Sequence, residues 1–239
     1  MRPTALALLL LAPVLQADGL ADLRAVLKSL PARQSVKAVV DCQVWNRTGK
    51  GKQPKIVQGQ ARVGVEGGPG GLKLGWDKAE LDRIQAATKA KDDGPQQAMA
   101  ALPAEKAEAM LDSAKAMLRD LEGAVVQEDR PDVYQGKPAR LLVLKLSDND
   151  MDEEGRKHLK SFSHILSVWM GSDGAPLGLQ DQMDMKGSFF LISFEAHGRT
   201  SRAFARSGDR LVTTHEESMG SGAGAGQNTE EKKVLDLRF

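Results

Sequence analysis

The sequence predicts an α+β protein that is mainly antiparallel β: a curved sheet or unclosed β-barrel, covered on its concave face by helices. Apolar and polar residues alternate with period two over several long segments, as in strands with one buried and one solvated face. Asp173-Gly174 lies between two such segments and favours a tight hairpin turn. Between residues 78 and 122 the apolar spacing becomes helical, which predicts a helical insertion in the sheet.

Residues 1–17 are predicted to be a cleaved signal peptide. Arg2 precedes an apolar run over 5–15, and Leu15-Gln16-Ala17 is an acceptable cleavage site. The run of about 11 residues is shorter than the roughly 20 that span a bilayer. An uncleaved buried helix is the alternative, and Pro13 argues against it. The pattern predicts a periplasmic or secreted protein without lipobox or transmembrane helix, folded as one β-rich domain over 18–239.

Charge and cysteine content limit the partners. The 33 Lys and Arg residues nearly balance the 32 Asp and Glu residues. This balance gives no electrostatic basis for binding nucleic acid or an anionic membrane. Cys42 is the only cysteine, so no disulfide can form within the chain. Its place in an alternating strand predicts a small buried hydrophobe rather than a reactive thiol.

The first half of the chain begins with an amphipathic helix over 18–30, which Pro31 ends, and continues with three alternating strands. A charged helix over 78–91 follows. One helix is predicted over 104–122, with Gly123 as its C-cap. Its apolar stripe predicts that it covers the sheet as half of the core, and a movable lid over an apolar cavity is the alternative.

The second half is predicted to be antiparallel ribbon around the 163–185 hairpin. Residues 188–196 form the most apolar segment after the signal and are predicted to be one strand, with a turn at His197-Gly198. The glycine-rich stretch 219–227 is predicted to be a loop, and 233–239 the last strand. Glu216 and Glu217 are interpreted as solvated charges.

No catalytic or metal motif is complete, so the sequence predicts no enzyme, no cofactor and no metal. Gly220-Ser221-Gly222 lacks the first glycine of a nucleophile elbow, because Met219 stands there. The four histidines have no zinc-site spacing. The aspartates at 148, 150 and 152 imitate half of a calcium loop, but Glu153 and Leu159 replace the glycine and the bidentate glutamate that the loop needs. Capping of a following short helix is the simpler interpretation.

Two segments resemble the periplasmic lipoprotein carrier and outer-membrane lipoprotein-sorting superfamily. The first contains Gly59, Pro69-Gly70 and Trp76, and the second contains Val168-Trp169, Asp173-Gly174 and Pro176-Leu177. The resemblance implies an unclosed β-barrel with helices in its mouth, in which Trp76, Trp169 and Pro176 serve as scaffold. Carriers of this family place arginine before the proline, where this chain has Gly68, and the helical stretch 78–122 replaces a strand. The resemblance therefore implies a lipid-binding relative rather than a lipoprotein carrier as such.

The predicted function is non-enzymatic binding of lipid, acyl chains or lipoproteins, with a lipid or lipidated protein as partner. The alternative is a structural or interaction protein of the cell envelope, whose sheet–helix core is filled and which meets a protein partner. A packed interface favours the interaction protein, and a continuous apolar cavity favours the ligand binder. The predicted apolar pocket consists of Leu179, Met183, Phe190, Ile192, Phe194, Met110 and Met117.

Overall fold

A computed structural model describes residues 18–50, 53–147, 153–190 and 192–239. The predicted signal peptide and the aspartates of the calcium-like run lie outside these residues. The helices are α1 Gly19–Lys28, α2 Lys78–Lys89, α3 Gly94–Ala100, α4 Ala104–Leu111, α5 Ser113–Asp120 and α6 Glu153–Lys157. The strands are β1 Val36–Thr48, β2 Lys55–Gly68, β3 Gly71–Gly75, β4 Val125–Tyr134, β5 Lys137–Lys145, β6 Leu159–Met170, β7 Pro176–Phe189, β8 Ile192–Ser207, β9 Arg210–Gly224 and β10 Gln227–Arg238.

All ten strands form one sheet in the order β3-β2-β1-β10-β9-β8-β7-β6-β5-β4. Every neighbouring pair with a resolved register is antiparallel. The described strands do not close into a barrel, since β3 and β4 stand at opposite edges. The mainly antiparallel β class is therefore confirmed.

One face of the sheet, here called the inner face, carries the apolar core. Directly opposed residues share a face, and one row runs across the sheet from Cys42 through Leu235 and Glu216 to Arg202 and Leu179. The alternation predicted for β1 is confirmed, because its even-numbered residues from Val36 to Val44 are buried.

The helices pack on the inner face in two groups. Helices α3 and α4 pack on β1, β2 and β9, and Ala98, Met110 and Leu111 belong to the first core cluster. Helices α1 and α5 cover β5, β6 and β7, where Leu23 and Met117 belong to the second cluster. Among the described residues, no helix is long and apolar enough to cross a membrane.

The prediction of one helix over 104–122 is wrong, because the chain breaks at Asp112. This residue leaves the helical conformation, with φ −137° and ψ 67°, and its carboxylate accepts a hydrogen bond from Lys115 N in the first turn of α5. The Ser113 hydroxyl lies 2.8 Å from that of Thr213 on β9. The apolar stripe continues through the break, so helix periodicity does not reveal it. The Asp112 N-cap and the Ser113–Thr213 contact determine where the helix breaks.

Three turns differ from the predicted positions. Strand β8 passes straight through His197-Gly198, where a turn was predicted. The predicted strand 188–196 contains a hairpin turn, because Phe189 pairs with Ile192. The predicted loop 219–227 is mostly strand, with its turn at Ala225-Gly226. Glycine and alanine give 196–198 and 219–224 no alternating pattern, and pairing with long neighbouring strands holds these residues extended. The apolar residues at 189 and 190 carry no turn signal.

Candidate functional site

A cavity of about 1060 Å³ opens on the inner face beyond α3 and the start of α4. On the helical side its lining includes Gln97, Ala101 and Lys106, and strands β1, β2 and β7 to β10 also contribute residues. The Gln97 side chain is fixed there by a 2.6 Å hydrogen bond from Asn46 Nδ2 on β1. The helices thus cover only part of the inner face.

Three glycines on β8 and β9 leave part of the floor of this cavity without side chains. Gly198, Gly220 and Gly222 occupy inner-face positions of β8 and β9. A Cβ atom at Gly220 would lie 3.0 Å from Glu231 Cγ, so a neighbouring side chain leans over that position. At Gly198 the nearest atoms to a Cβ would be 3.9 Å away, and one of them is Met183 Cε. The space above Gly198 is therefore open to a ligand.

Apolar side chains border the cavity toward the β7–β8 turn. Met183 lines the cavity, and Met185 and Phe194 follow on the same face and are half-buried. The Phe194 ring lies where a side chain at Gly187 would be, and its Cβ sits 3.2 Å from a Cβ built at Gly224. Glycines on both neighbouring strands thus leave the space that this ring occupies.

An ion-pair cluster forms the opposite border, beneath α4. Lys106 Nζ lies 2.5 Å from Glu216 Oε1, and Arg202 Nε lies 2.8 Å from Glu216 Oε2. Burial raises the pKa of Glu216, but the charges of Arg202 and Lys106 outweigh it and hold that pKa below its ordinary value. Burial raises the pKa of Asp120, which faces Arg202 at 3.9 Å. The interpretation of Glu216 as a solvated charge is wrong.

The structure does not bring the seven predicted pocket residues together. Met110, Met117 and Leu179 are buried in the two core clusters beneath the helices. Met183 lines the open cavity, and Phe194 lies beyond it on the same face. Ile192 is half-exposed beside the turn, and Phe190 lies in the turn itself. Their role in binding a ligand stays a prediction.

Sequence reasoning missed the glycine floor and the charged border. Both depend on pairing between distant segments, and the only local signal was the glycine-rich stretch 219–227. The Cys42 thiol is buried in the first core cluster, and burial raises its pKa to about 12. Within the four described ranges, no group of three or more His, Cys, Asp and Glu side chains is placed to hold a metal ion.

No family model matches the sequence, and no curated protein or solved structure shows a significant match to it.

Proposed function

We propose that this chain is a non-enzymatic binding protein of the periplasm that holds a lipid, an acyl chain or a lipid-modified protein. The observation that carries the proposal is the incomplete helical cover of the inner face. Apolar faces of sheets are ordinarily buried by a second layer, and here part of that face bounds an open cavity of about 1060 Å³. Small-molecule sites typically occupy about 300–1,000 Å³.

The chemistry of the cavity suits an amphipathic ligand. Its floor contains glycines and small side chains, and the Glu231 side chain leans over Gly220. The space above Gly198 allows a chain to lie close to the backbone. Met183 and, beyond it, Met185 and Phe194 provide apolar contact at one end. Lys106 and Glu216 provide charge at the other end. In this proposal the inner face is the concave face of the sheet, as in the lipoprotein-sorting proteins that the sequence resembles.

The ligand does not lie beneath the helices. Met110, Met117 and Leu179 are almost completely buried. The cavity of about 270 Å³ that Met110 and Met117 line between α4–α5 and β8–β9 is about a quarter of the volume of the open one and lies below the roughly 300–1,000 Å³ of small-molecule sites. The proposed site is therefore displaced from the helix-facing pocket expected from the sequence to the open part of the inner face. Of the seven predicted residues, Met183 and Phe194 are the ones that retain a role in this site.

The same packed interface favours a second candidate, a cell-envelope interaction protein with a filled core. Both core clusters are continuous from sheet to helices. In that case the cavity is a surface depression, and the protein functions through contacts with another envelope protein.

Native mass spectrometry with lipid extraction, on protein purified from the periplasm without detergent, tests the proposal. We expect a co-purifying lipid or acylated protein in the wild type and its loss in a folded Met183→Asp variant. Ile56→Asp is the matched control, because Ile56 is an exposed apolar residue on the other face of β2. Ligand-free wild-type protein that also takes up no fluorescent fatty acid would overturn the proposal and favour the interaction protein.

A further inference from the structure

We propose that the tip of the β7–β8 hairpin, formed by Phe189, Phe190 and Ile192, inserts into the interfacial layer of a lipid bilayer. The exposed fractions of these residues are 50%, 87% and 49%. The largest exposed apolar patch of a typical monomer covers about 300–600 Å² and often has a function. Because the three residues lie at the end of two long strands, they stand at an extremity of the sheet.

The backbone conformation at Phe190 indicates that its aromatic side chain has a role other than stabilising the fold. Phe189 pairs with Ile192, so Phe190 lies in the turn between the two strands, and its φ is +53°. Asn, Asp or Gly is the ordinary choice at this position, and a bulky residue with positive φ is strained. The Phe190 ring packs edge-on against Phe189, with 4.6 Å between ring centroids, and is otherwise open to solvent. Packing does not account for a phenylalanine here.

The size of the tip favours a membrane over a protein partner. A buried aromatic side chain covers roughly 150–250 Å², so these partly exposed residues offer about 350 Å². A standard protein interface needs about 800 Å² from each partner. Three residues cannot supply that area, whereas acyl chains and headgroups close around a hairpin tip without needing a complementary shape. Phenylalanine is one of the residues that interfacial membrane elements bury.

Polar groups at the base of the tip would limit the depth of insertion. The His158 ring stacks edge-on against Phe189, with 4.7 Å between centroids. Lys186 lies on β7 three residues before Phe189. Its ammonium group pairs with the Glu195 carboxylate across the hairpin at 3.5 Å, and both side chains are exposed. Since charged groups resist entry into hydrocarbon, only the three tip residues would enter the bilayer.

The tip is continuous with the apolar border of the cavity. Phe189 and Ile192 lie on the inner face, one inward-facing pair beyond Gly187 and Phe194. If the cavity binds lipid, as proposed above, this continuity lets a ligand pass between bilayer and cavity along one surface. Insertion of the tip does not itself depend on that function.

Flotation with phosphatidylcholine vesicles tests the inference. We expect the wild type to float with the vesicles and Phe190→Asn to bind them at least tenfold more weakly. Asn accepts positive φ, so the thermal midpoint of this variant should equal or exceed that of the wild type. If Phe190 had a structural role, the substitution would lower the thermal midpoint instead.

Ile192→Asn should also lose binding to the vesicles. Val133→Asn is the control and should bind like the wild type, because Val133 is 60% exposed but lies beside the β4–β5 turn, outside the tip.

Three results would overturn the inference: no flotation of the wild type, equal flotation of Phe190→Asn, or self-association of the wild type that Phe190→Asn abolishes. The last result would assign the tip to contacts between two copies. Uptake of a fluorescent fatty acid separates this inference from the proposed function. Flotation that depends on Phe190, without fatty-acid uptake or a co-purifying ligand, would support membrane insertion of the tip and contradict ligand binding in the cavity. Ligand uptake without flotation would do the reverse.

Discussion

Lys106 Nζ on α4 lies 2.5 Å from Glu216 Oε1 on β9, beneath the helical layer and between the two core clusters. Arg202 on β8 binds the other oxygen of the same carboxylate. The side chain of Glu216 is 5% exposed and that of Lys106 is 26% exposed. One buried carboxylate therefore holds α4 against β8 and β9, at the border where the helical cover ends and the open cavity begins.

Glu216→Gln should destabilise the protein more than Lys106→Gln. Loss of the carboxylate charge leaves Lys106 without its partner and Arg202 with only the longer 3.9 Å contact to Asp120, whereas loss of Lys106 leaves the Arg202–Glu216 pair intact. Removing one partner of a buried pair costs about 3–5 kcal/mol, and we expect about 2–4 kcal/mol for Glu216→Gln because Lys106 is partly exposed. Lys106→Gln should cost about half as much. Urea unfolding measures both values, and equal losses would contradict the central role of Glu216.

The contribution of Glu216 should depend on pH. Its pKa in the folded protein is below the ordinary 4.5, so its stabilising effect is complete above pH 4.5 and is lost as pH falls through the folded pKa. The difference in unfolding free energy between the wild type and Glu216→Gln should therefore be constant from pH 7 to 5 and should shrink below pH 4.5. A difference that grew on acidification would refute the ion pair as its source.

Gly59→Ala should weaken the contact between β2 and α3. A Cβ atom at Gly59 would overlap the carbonyl group of Gly94, at the start of α3. Neither backbone can move away without disturbing the packed layer, so we expect a loss of about 1–3 kcal/mol or more in unfolding free energy. Gly70→Ala is the control, because a Cβ atom there meets nothing within 4 Å. Thermal or urea unfolding compares the two, and equal stability would show that α3 shifts freely.

Arg210→Lys should destabilise the protein by about 2–4 kcal/mol, because three carbonyl groups lose a charged donor. The buried Arg210 guanidinium donates from Nε to Gln34 O at 2.6 Å, from Nη2 to Ala32 O at 2.5 Å and from Nη1 to Leu111 O at 3.4 Å. A lysine ammonium cannot reproduce this planar fork. Arg199→Lys is the control, since that exposed side chain donates to Gln180 Oε1 at 2.7 Å on the neighbouring strand and not to a buried carbonyl group. Similar unfolding free energies for both variants would contradict the role assigned to Arg210.

The sequence was most informative in strands where apolar and polar residues alternate, because a period of two assigns each residue to one face of the sheet. The burial of Val40 and Cys42 followed from that period, and the turn at Asp173-Gly174 followed from residue chemistry, with Gly174 at φ +75°. Sequence reasoning failed at the turn of the β7–β8 hairpin, because Phe190 occupies a conformation that phenylalanine disfavours. It also failed along β9, where glycines give no periodic signal.

The candidate site was less accessible to sequence reasoning than the fold. Lys106 and Glu216 are 110 residues apart in the chain, and each alone has the ordinary pattern of a solvated charge. Only the register of β8 with β9, together with the position of α4, brings them into contact. Met110 and Met117 were correctly assigned to the helix face toward the sheet, but close packing buries them away from the cavity.

Titration of a fluorescent fatty acid into the wild type, Gly198→Leu and Gly75→Leu tests the central claim most directly. Gly198 faces the cavity without positive φ and without close neighbours, so leucine should fold there and fill the space that the ligand needs. Gly75 is the matched strand glycine on β3, outside the cavity. The account predicts saturable binding by the wild type and Gly75→Leu, and at least a tenfold loss of affinity in Gly198→Leu with unchanged circular dichroism. Equal binding by all three proteins, or binding by none, would contradict a ligand site on the open inner face.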